Sequence, residues 1–109
     1  MEKRLEGLVI AMPTPLQQNE DLDAASFRKL IDHCIGEGAD GIMILGSMGE
    51  GAALTDPVRD EAMEVAAEHV GKRVPLLVTI SGASTRRTLE NARRAEGLGA
   101  DYLVTTSPF

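Results

Sequence analysis

A chain of 109 residues, 43% apolar and 26% charged, has the composition of one small globular domain with a single core. Its net charge of −6 argues against a nucleic-acid surface or an anionic membrane as partner, and three aromatic residues, Phe27, Tyr102 and Phe109, give no base-stacking platform. The single cysteine, Cys34, excludes an intrachain disulfide and fits a reducing compartment.

Met1-Glu2-Lys3-Arg4-Leu5-Glu6 lacks the apolar core of a signal peptide, and no apolar run approaches membrane-spanning length, so a cytoplasmic location is expected. Leu8-Val9-Ile10-Ala11-Met12, bounded by Gly7 and Pro13, reads as a buried strand, stopped by Pro13-Thr14-Pro15. After a polar loop, Asp23 is placed to cap a first helix. Phe27, Leu30, Ile31, Cys34 and Ile35 recur on one face of it, and Gly36 and Gly38 end it. The second strand, Gly41 to Leu45, empties into Gly46-Ser47-Met48-Gly49-Glu50-Gly51. Thr55 caps a second helix with Pro57 in its first turn, where a missing N–H costs nothing. Its inner face is Val58, Ala62, Val65, Ala66 and His69, and Gly71 ends it. Pro75 introduces a third strand, Leu76 to Ile80. Ser81-Gly82-Ala83-Ser84 leads through a cap at Ser84 or Thr85 into a third helix, with Leu89, Ala92, Ala95 and Leu98 inward and Gly97 and Gly99 closing it. Tyr102 to Thr106 is a fourth strand, and Ser107-Pro108-Phe109 begins a loop. Gly-Ala-Asp precedes strands two and four, at 38–40 and 99–101, which predicts a repeated helix-to-strand joint.

The order is βαβαβαβ, with strands apolar on both faces as in a covered parallel sheet. Two α/β architectures fit: a small doubly wound sheet, or half of a (β/α)8 barrel whose full length is typically about 250 residues. Either places the carboxyl ends of the strands on one rim, with Thr14, Ser47, Ser81 and Ser107 on it. The 46–51 loop has the glycine order G-x-x-G-x-G, which is neither a dinucleotide fingerprint nor a Walker loop. It is either an ordinary strand-to-helix turn or a seat for a carboxylate or phosphate. In the second case the glycines let N–H groups approach the anion, and Ser47 adds a hydroxyl.

Glu50 as a general base would need a raised pKa and a proton in reach, so its expected role is to bind backbone N–H groups and hold the loop. His33 and His69 have no partner at metal-ligand spacing, and no metal is expected. Asp32, Glu37, Asp60 and Glu64 fall on helix surfaces and are expected to be solvated. Arg86-Arg87 and Arg93-Arg94 form a basic patch on the third helix that pairs with the abundant carboxylates. The three lysines, Lys3, Lys29 and Lys72, precede the first strand, lie on a helix outer face and sit at the opposite end of the sheet, respectively. None presents an amine to the rim, where Schiff-base chemistry would need one.

Thr14-Pro15, Gly46-Ser47-Met48-Gly49-Glu50, Ser81-Gly82-Ala83-Ser84 and Ser107-Pro108-Phe109, in this order and spacing, resemble the dihydrodipicolinate synthase/N-acetylneuraminate lyase family over the whole chain. The resemblance implies a (β/α)8 barrel, usually a homotetramer. It implies a class I lyase or aldolase that acts on pyruvate or a related 2-keto acid through a lysine Schiff base, with no cofactor. The strand-two loop would bind the substrate carboxylate. Ala11, Gly46, Ser47 and Met48 fall at substrate-binding positions, and Ser47 also at the hydroxyl of a tyrosine-based proton relay. Thr14, Gly49 and Glu50 fall at loop-shaping positions. Met48 stands where the family usually has a second threonine. It loses a hydroxyl and gains bulk, which points to a 2-keto acid reaction other than the biosynthetic condensation of pyruvate with an aldehyde. Phe109 falls at the first aromatic of the family's Pro-Tyr-Tyr loop, while the strand-five tyrosine and strand-six lysine are not among these residues. The expectation is that residues 1–109 are the N-terminal half-barrel of a single barrel domain, a piece of a lyase that is inactive alone and associates through open sheet edges. The alternative is a non-catalytic doubly wound module that binds a small anion at Gly46–Gly51.

Overall fold

The structure, a computed structural model, describes residues 4–106. Four strands, β1 (Val9–Ala11), β2 (Gly41–Ile44), β3 (Leu76–Thr79) and β4 (Tyr102–Val104), alternate with three helices, α1 (Ala24–Gly36), α2 (Asp56–Val70) and α3 (Thr85–Gly97). A short 3₁₀ turn over Gly51–Ala53, not anticipated from the sequence, precedes α2. The strands form one sheet in the order β1-β2-β3-β4, each parallel to its neighbours.

That order overturns the doubly wound alternative. A doubly wound sheet reverses its strand order at a switch point and carries helices on both faces. Here every crossover steps the same way, so the crossovers, which share one hand, deliver all three helices to one face. Phe27 and Ile31 of α1, Ala62, Met63, Ala66 and Val70 of α2, and Ala95 of α3 pack there with Ile42, Ile44, Leu76 and Val78. Alternation turns the intervening strand residues to the other face. Ala11 pairs with Met43, Met43 with Leu77, Leu77 with Tyr102, and Thr79 with Val104. This second face is a mostly apolar row with no helix on it among the described residues.

Two expected helix faces shift. In α2, Arg59 and Met63 are buried while Val58 and His69 are only half-buried. In α3, Leu89 is 51% exposed and Asn91 takes the inward place, its amide donating to the Ile80 carbonyl at 3.0 Å. Periodicity finds a face, but neighbouring elements decide its centre. The strands are also shorter than their apolar runs. Leu8 is 60% exposed, and Leu45 leaves β2 with φ of 62°.

The two Gly-Ala-Asp joints are built alike. Gly38 and Gly99 adopt φ of 101° and 108°. The carboxylate of Asp40 then accepts the Leu8 N–H at 2.8 Å, and that of Asp101 the Leu76 N–H at 2.9 Å. Each Asp N–H donates back to the carbonyl of the same residue, at 2.8 Å in both. Each aspartate thus clips the strand it opens to the entry of the preceding strand.

Capping separates two helices that look similar in sequence. The Ser84 hydroxyl accepts the Arg87 N–H at 3.1 Å, whereas Thr55 makes no side-chain cap bond. Ser84→Ala is therefore expected to destabilise the chain by about 1 kcal/mol. Thr55→Ala is expected to be nearly neutral. Equal losses in urea denaturation would contradict this assignment.

Candidate carboxylate-binding loop at the carboxyl end of the sheet

Beyond β2 the chain turns sharply. Leu45, 3% exposed, sits in the left-handed region, and so does Glu50 with φ of 54°. The turn closes on itself through Glu50 N–H to Ser47 O and Gly51 N–H to Gly46 O, both at 3.1 Å. Two buried side chains from other elements tie it down. The Thr14 hydroxyl, after β1, donates to the Gly49 carbonyl at 2.7 Å. The Arg59 guanidinium, from α2, donates to the Gly51 carbonyl. Both residues are 6% exposed.

The packing leaves no room for side chains at the tethered positions. A Cβ on Gly49 would stand 2.9 Å from the Met12 carbonyl oxygen, and one on Gly51 2.0 Å from that of Leu45. Between these fixed points Ser47 and Met48 are exposed, Met48 at 63%. The arrangement is a rigid turn whose tip presents a hydroxyl and backbone N–H groups at the carboxyl end of the strands. Such a tip can hold an anion.

The other site positions fall around it. Gly46 is half-buried, and a Cβ there would lie 3.3 Å from the Thr79 hydroxyl oxygen. Ala11 is exposed on the helix-free face, in register with Met43. Glu50 is exposed, and its carboxylate accepts no hydrogen bond among the described residues, so the polar ties on the loop come from Thr14 and Arg59. Ser81 meets Thr106 across the rim, with their hydroxyls 3.1 Å apart and the Thr106 N–H donating to Ser81 at 2.7 Å. Ser107, Pro108 and Phe109 lie outside the described residues. Arg59 was missed in the sequence because arginine is rarely assigned to a core. The signal was its spacing, three and four residues before the buried Ala62 and Met63.

Behind the loop, charges lock α2 to α3. Asp56 receives Arg87 and Arg94, the latter at 3.0 Å, and Arg94 also approaches Asp60 at 3.9 Å. Asp60 is thus half-buried and paired instead of solvated. Burial, then the Arg87 charge, pushes the Arg59 guanidinium below its ordinary value, and the Asp56 and Asp60 carboxylates oppose this. The hydrogen bonds from Arg87 and then Arg94 hold the Asp56 carboxyl at about 2, against an ordinary 3.8. A group depressed in the folded state stabilises the fold above its unfolded value and loses that contribution as pH falls through its folded one. Asp56→Asn is therefore expected to lower stability at neutral pH and to flatten the acid loss of stability between pH 3.8 and 2. Urea midpoints measured across that window check this, and an unchanged slope would refute it.

A second ion cluster ties α1 to the α2–β3 joint. Asp32, exposed on α1 as expected, lies 2.9 Å from His69 and 3.0 Å from Arg73. Those two partners, His69 first, hold its carboxyl below the ordinary range. His33 stays exposed. Among the described residues no group of three metal-ligating side chains occurs, and no helix is long and apolar enough to cross a membrane.

The sheet order, the rim and the tethered loop can be set beside known proteins. The profile of the Dihydrodipicolinate synthetase family matches residues 4–109. The chain belongs to the dihydrodipicolinate synthetase family. A curated family member, the 4-hydroxy-tetrahydrodipicolinate synthase of Herminiimonas arsenicoxydans, is 36% identical over 105 residues, which are 96% of this chain and 36% of that protein. Among solved structures, YagE of E. coli K12 superposes with a TM-score of 0.90. YagE is a prophage protein of the dihydrodipicolinic acid synthase family, in complex with pyruvate. It is 34% identical, with 94% of this chain and 35% of YagE covered. The N-acetylneuraminate lyase of Mycoplasma synoviae superposes with a TM-score of 0.82 at 28% identity, over 93% and 35% of the two chains. The chain thus spans about a third of the length of the family members it matches. Its singly wound sheet is the N-terminal half of the family's (β/α)8 barrel. The helix-free face is accordingly the face that lines the barrel interior.

Proposed function

We propose that residues 1–109 supply the carboxylate-binding side of a Schiff-base-forming lyase or aldolase that acts on pyruvate or a related 2-keto acid. They would form the N-terminal half of a single barrel domain within a cytoplasmic homo-oligomer. The observation that carries this reading is the double tether from Thr14 and Arg59, which fixes Gly49 and Gly51 and leaves the Ser47–Met48 tip free. The N–H groups of Ser47 and Met48 and the Ser47 hydroxyl would donate to the substrate carboxylate. Because the tip is already rigid, binding would cost little ordering of the loop. Ala11, small and on the interior face, would leave space for the keto carbon.

In this class of chemistry a lysine amine adds to the keto carbon with loss of water, and the protonated imine accepts the electron pair of the breaking C–C bond. No metal or organic cofactor is needed. The Ser47 hydroxyl would relay a proton between the reacting centre and a tyrosine. Met48 would narrow the pocket where a hydroxyl is usual, favouring a 2-keto acid reaction other than condensation of pyruvate with an aldehyde. The pyruvate bound by YagE supports the keto-acid class.

Amide NMR of the 109-residue chain titrated with pyruvate tests this reading. Saturable shifts centred on Gly46, Ser47 and Met48, weakened several-fold by Ser47→Ala, are expected. Shifts confined to the helix surfaces, or none in the millimolar range, would overturn it.

A further inference from the structure

Thr79 is the last residue of β3 and is 8% exposed. Its hydroxyl oxygen is buried without a hydrogen-bond partner among the described residues. Register puts it on the interior face, paired with Val104 and two residues beyond Leu77, which itself pairs with Met43 and Tyr102. The hydroxyl therefore sits in a largely apolar row. The β2 loop passes directly beside it, since a Cβ on Gly46 would stand 3.3 Å from the oxygen. A buried hydroxyl that bonds nothing destabilises the protein, and valine would fill the same space without that penalty. A polar group held unpaired beside a proposed anion seat is poised for a ligand atom.

We infer that Thr79 is a substrate-contact residue, its hydroxyl donating a hydrogen bond to a carboxylate oxygen of the 2-keto acid seated on the Ser47–Met48 tip. The inference rests on the reading of that loop given above. Thr79 thus restores, from the neighbouring strand, a hydroxyl that Met48 does not provide. It approaches the carboxylate from the interior face of β3, whereas Ser47 approaches from the β2 loop. The pair discriminates a planar carboxylate, with two oxygens to satisfy, from a neutral carbonyl compound.

Thermal unfolding of the 109-residue chain, with and without pyruvate, tests this on wild type, Thr79→Val, Thr79→Ser and Ser47→Ala. Without ligand, Thr79→Val is expected to melt several degrees above wild type, because it removes an unpaired buried hydroxyl. The same variant is expected to lose most of the pyruvate-dependent rise in melting temperature, and Thr79→Ser to keep it. A Thr79→Val chain that melts at or below wild type overturns the inference. So does a pyruvate-dependent rise lost in Ser47→Ala but kept in Thr79→Val, and that result leaves the loop reading intact. A wild-type chain unmoved by pyruvate overturns the loop reading, and this inference with it.

Discussion

Borohydride reduction of the 109-residue chain in the presence of pyruvate is expected to leave its mass unchanged. A trapped Schiff base requires an amine in a desolvated pocket next to the bound carbonyl. Lys29 projects from α1 in the outer helix layer and is exposed. Lys72 lies in the α2–β3 joint, at the amino end of the sheet, with its ammonium 2.8 Å from Asp101. The Ser47–Met48 tip is at the opposite end. Lys3 lies outside the described residues and in the chain precedes β1. The proposed carboxylate seat and either described lysine are thus at opposite ends or in different layers of the fold. A stoichiometric reduced adduct on Lys29 or Lys72 would show that the chain forms its imine by a geometry other than the family barrel. Loss of the NMR response at Ser47 would instead remove the seat. The two failures are separable.

Gly51→Ala is expected to destabilise the chain by about 3 kcal/mol and to displace the loop. The added methyl would stand 2.0 Å from the Leu45 carbonyl oxygen and 2.7 Å from its carbon. Both are backbone atoms of a residue already held in the left-handed region, so no rotamer change relieves the overlap. The Gly51 carbonyl would also leave the Arg59 guanidinium, unpairing a buried cation. Gly97→Ala is the matched control. Nothing lies within 4 Å of a Cβ there, and the residue closes α3, so alanine is expected to stabilise by about 0.5–1 kcal/mol. Urea denaturation of both variants decides the matter. Similar midpoints for the two would mean that the loop yields and is not held rigidly by its packing.

Much of the site was legible in the sequence because it is made of neighbours in the chain. The Gly46–Gly51 turn, the Asp23 and Ser84 caps and the paired Gly-Ala-Asp joints each follow from local backbone requirements that few residue types meet. The amphipathic face of α1, centred on Phe27 and Ile31, was legible for the same reason. The parts that were not legible depend on distant chain. Arg59 is buried only because the carbonyl of Gly51 is turned toward it. Leu89 is exposed because α3 rolls Asn91 inward to meet the Ile80 carbonyl. Asp32 is paired only because α2 ends with His69 beside it.

The alternation of four strands and three helices, the glycine turn after the second strand, and the placement of Lys29 and Lys72 away from the rim are all written in the sequence. These are properties of period, backbone conformation and position along the chain. Whether that alternation winds singly or doubly is a matter of which strand edges meet, and no local signal carries it. Tertiary structure decided for the order β1-β2-β3-β4, placing all helices on one face and leaving the other to line a barrel. It also decided what holds the Gly46–Gly51 loop. The carbonyls of Gly49 and Gly51 are satisfied by Thr14 and Arg59 from two other elements, because a buried carbonyl must find a donor wherever the fold supplies one.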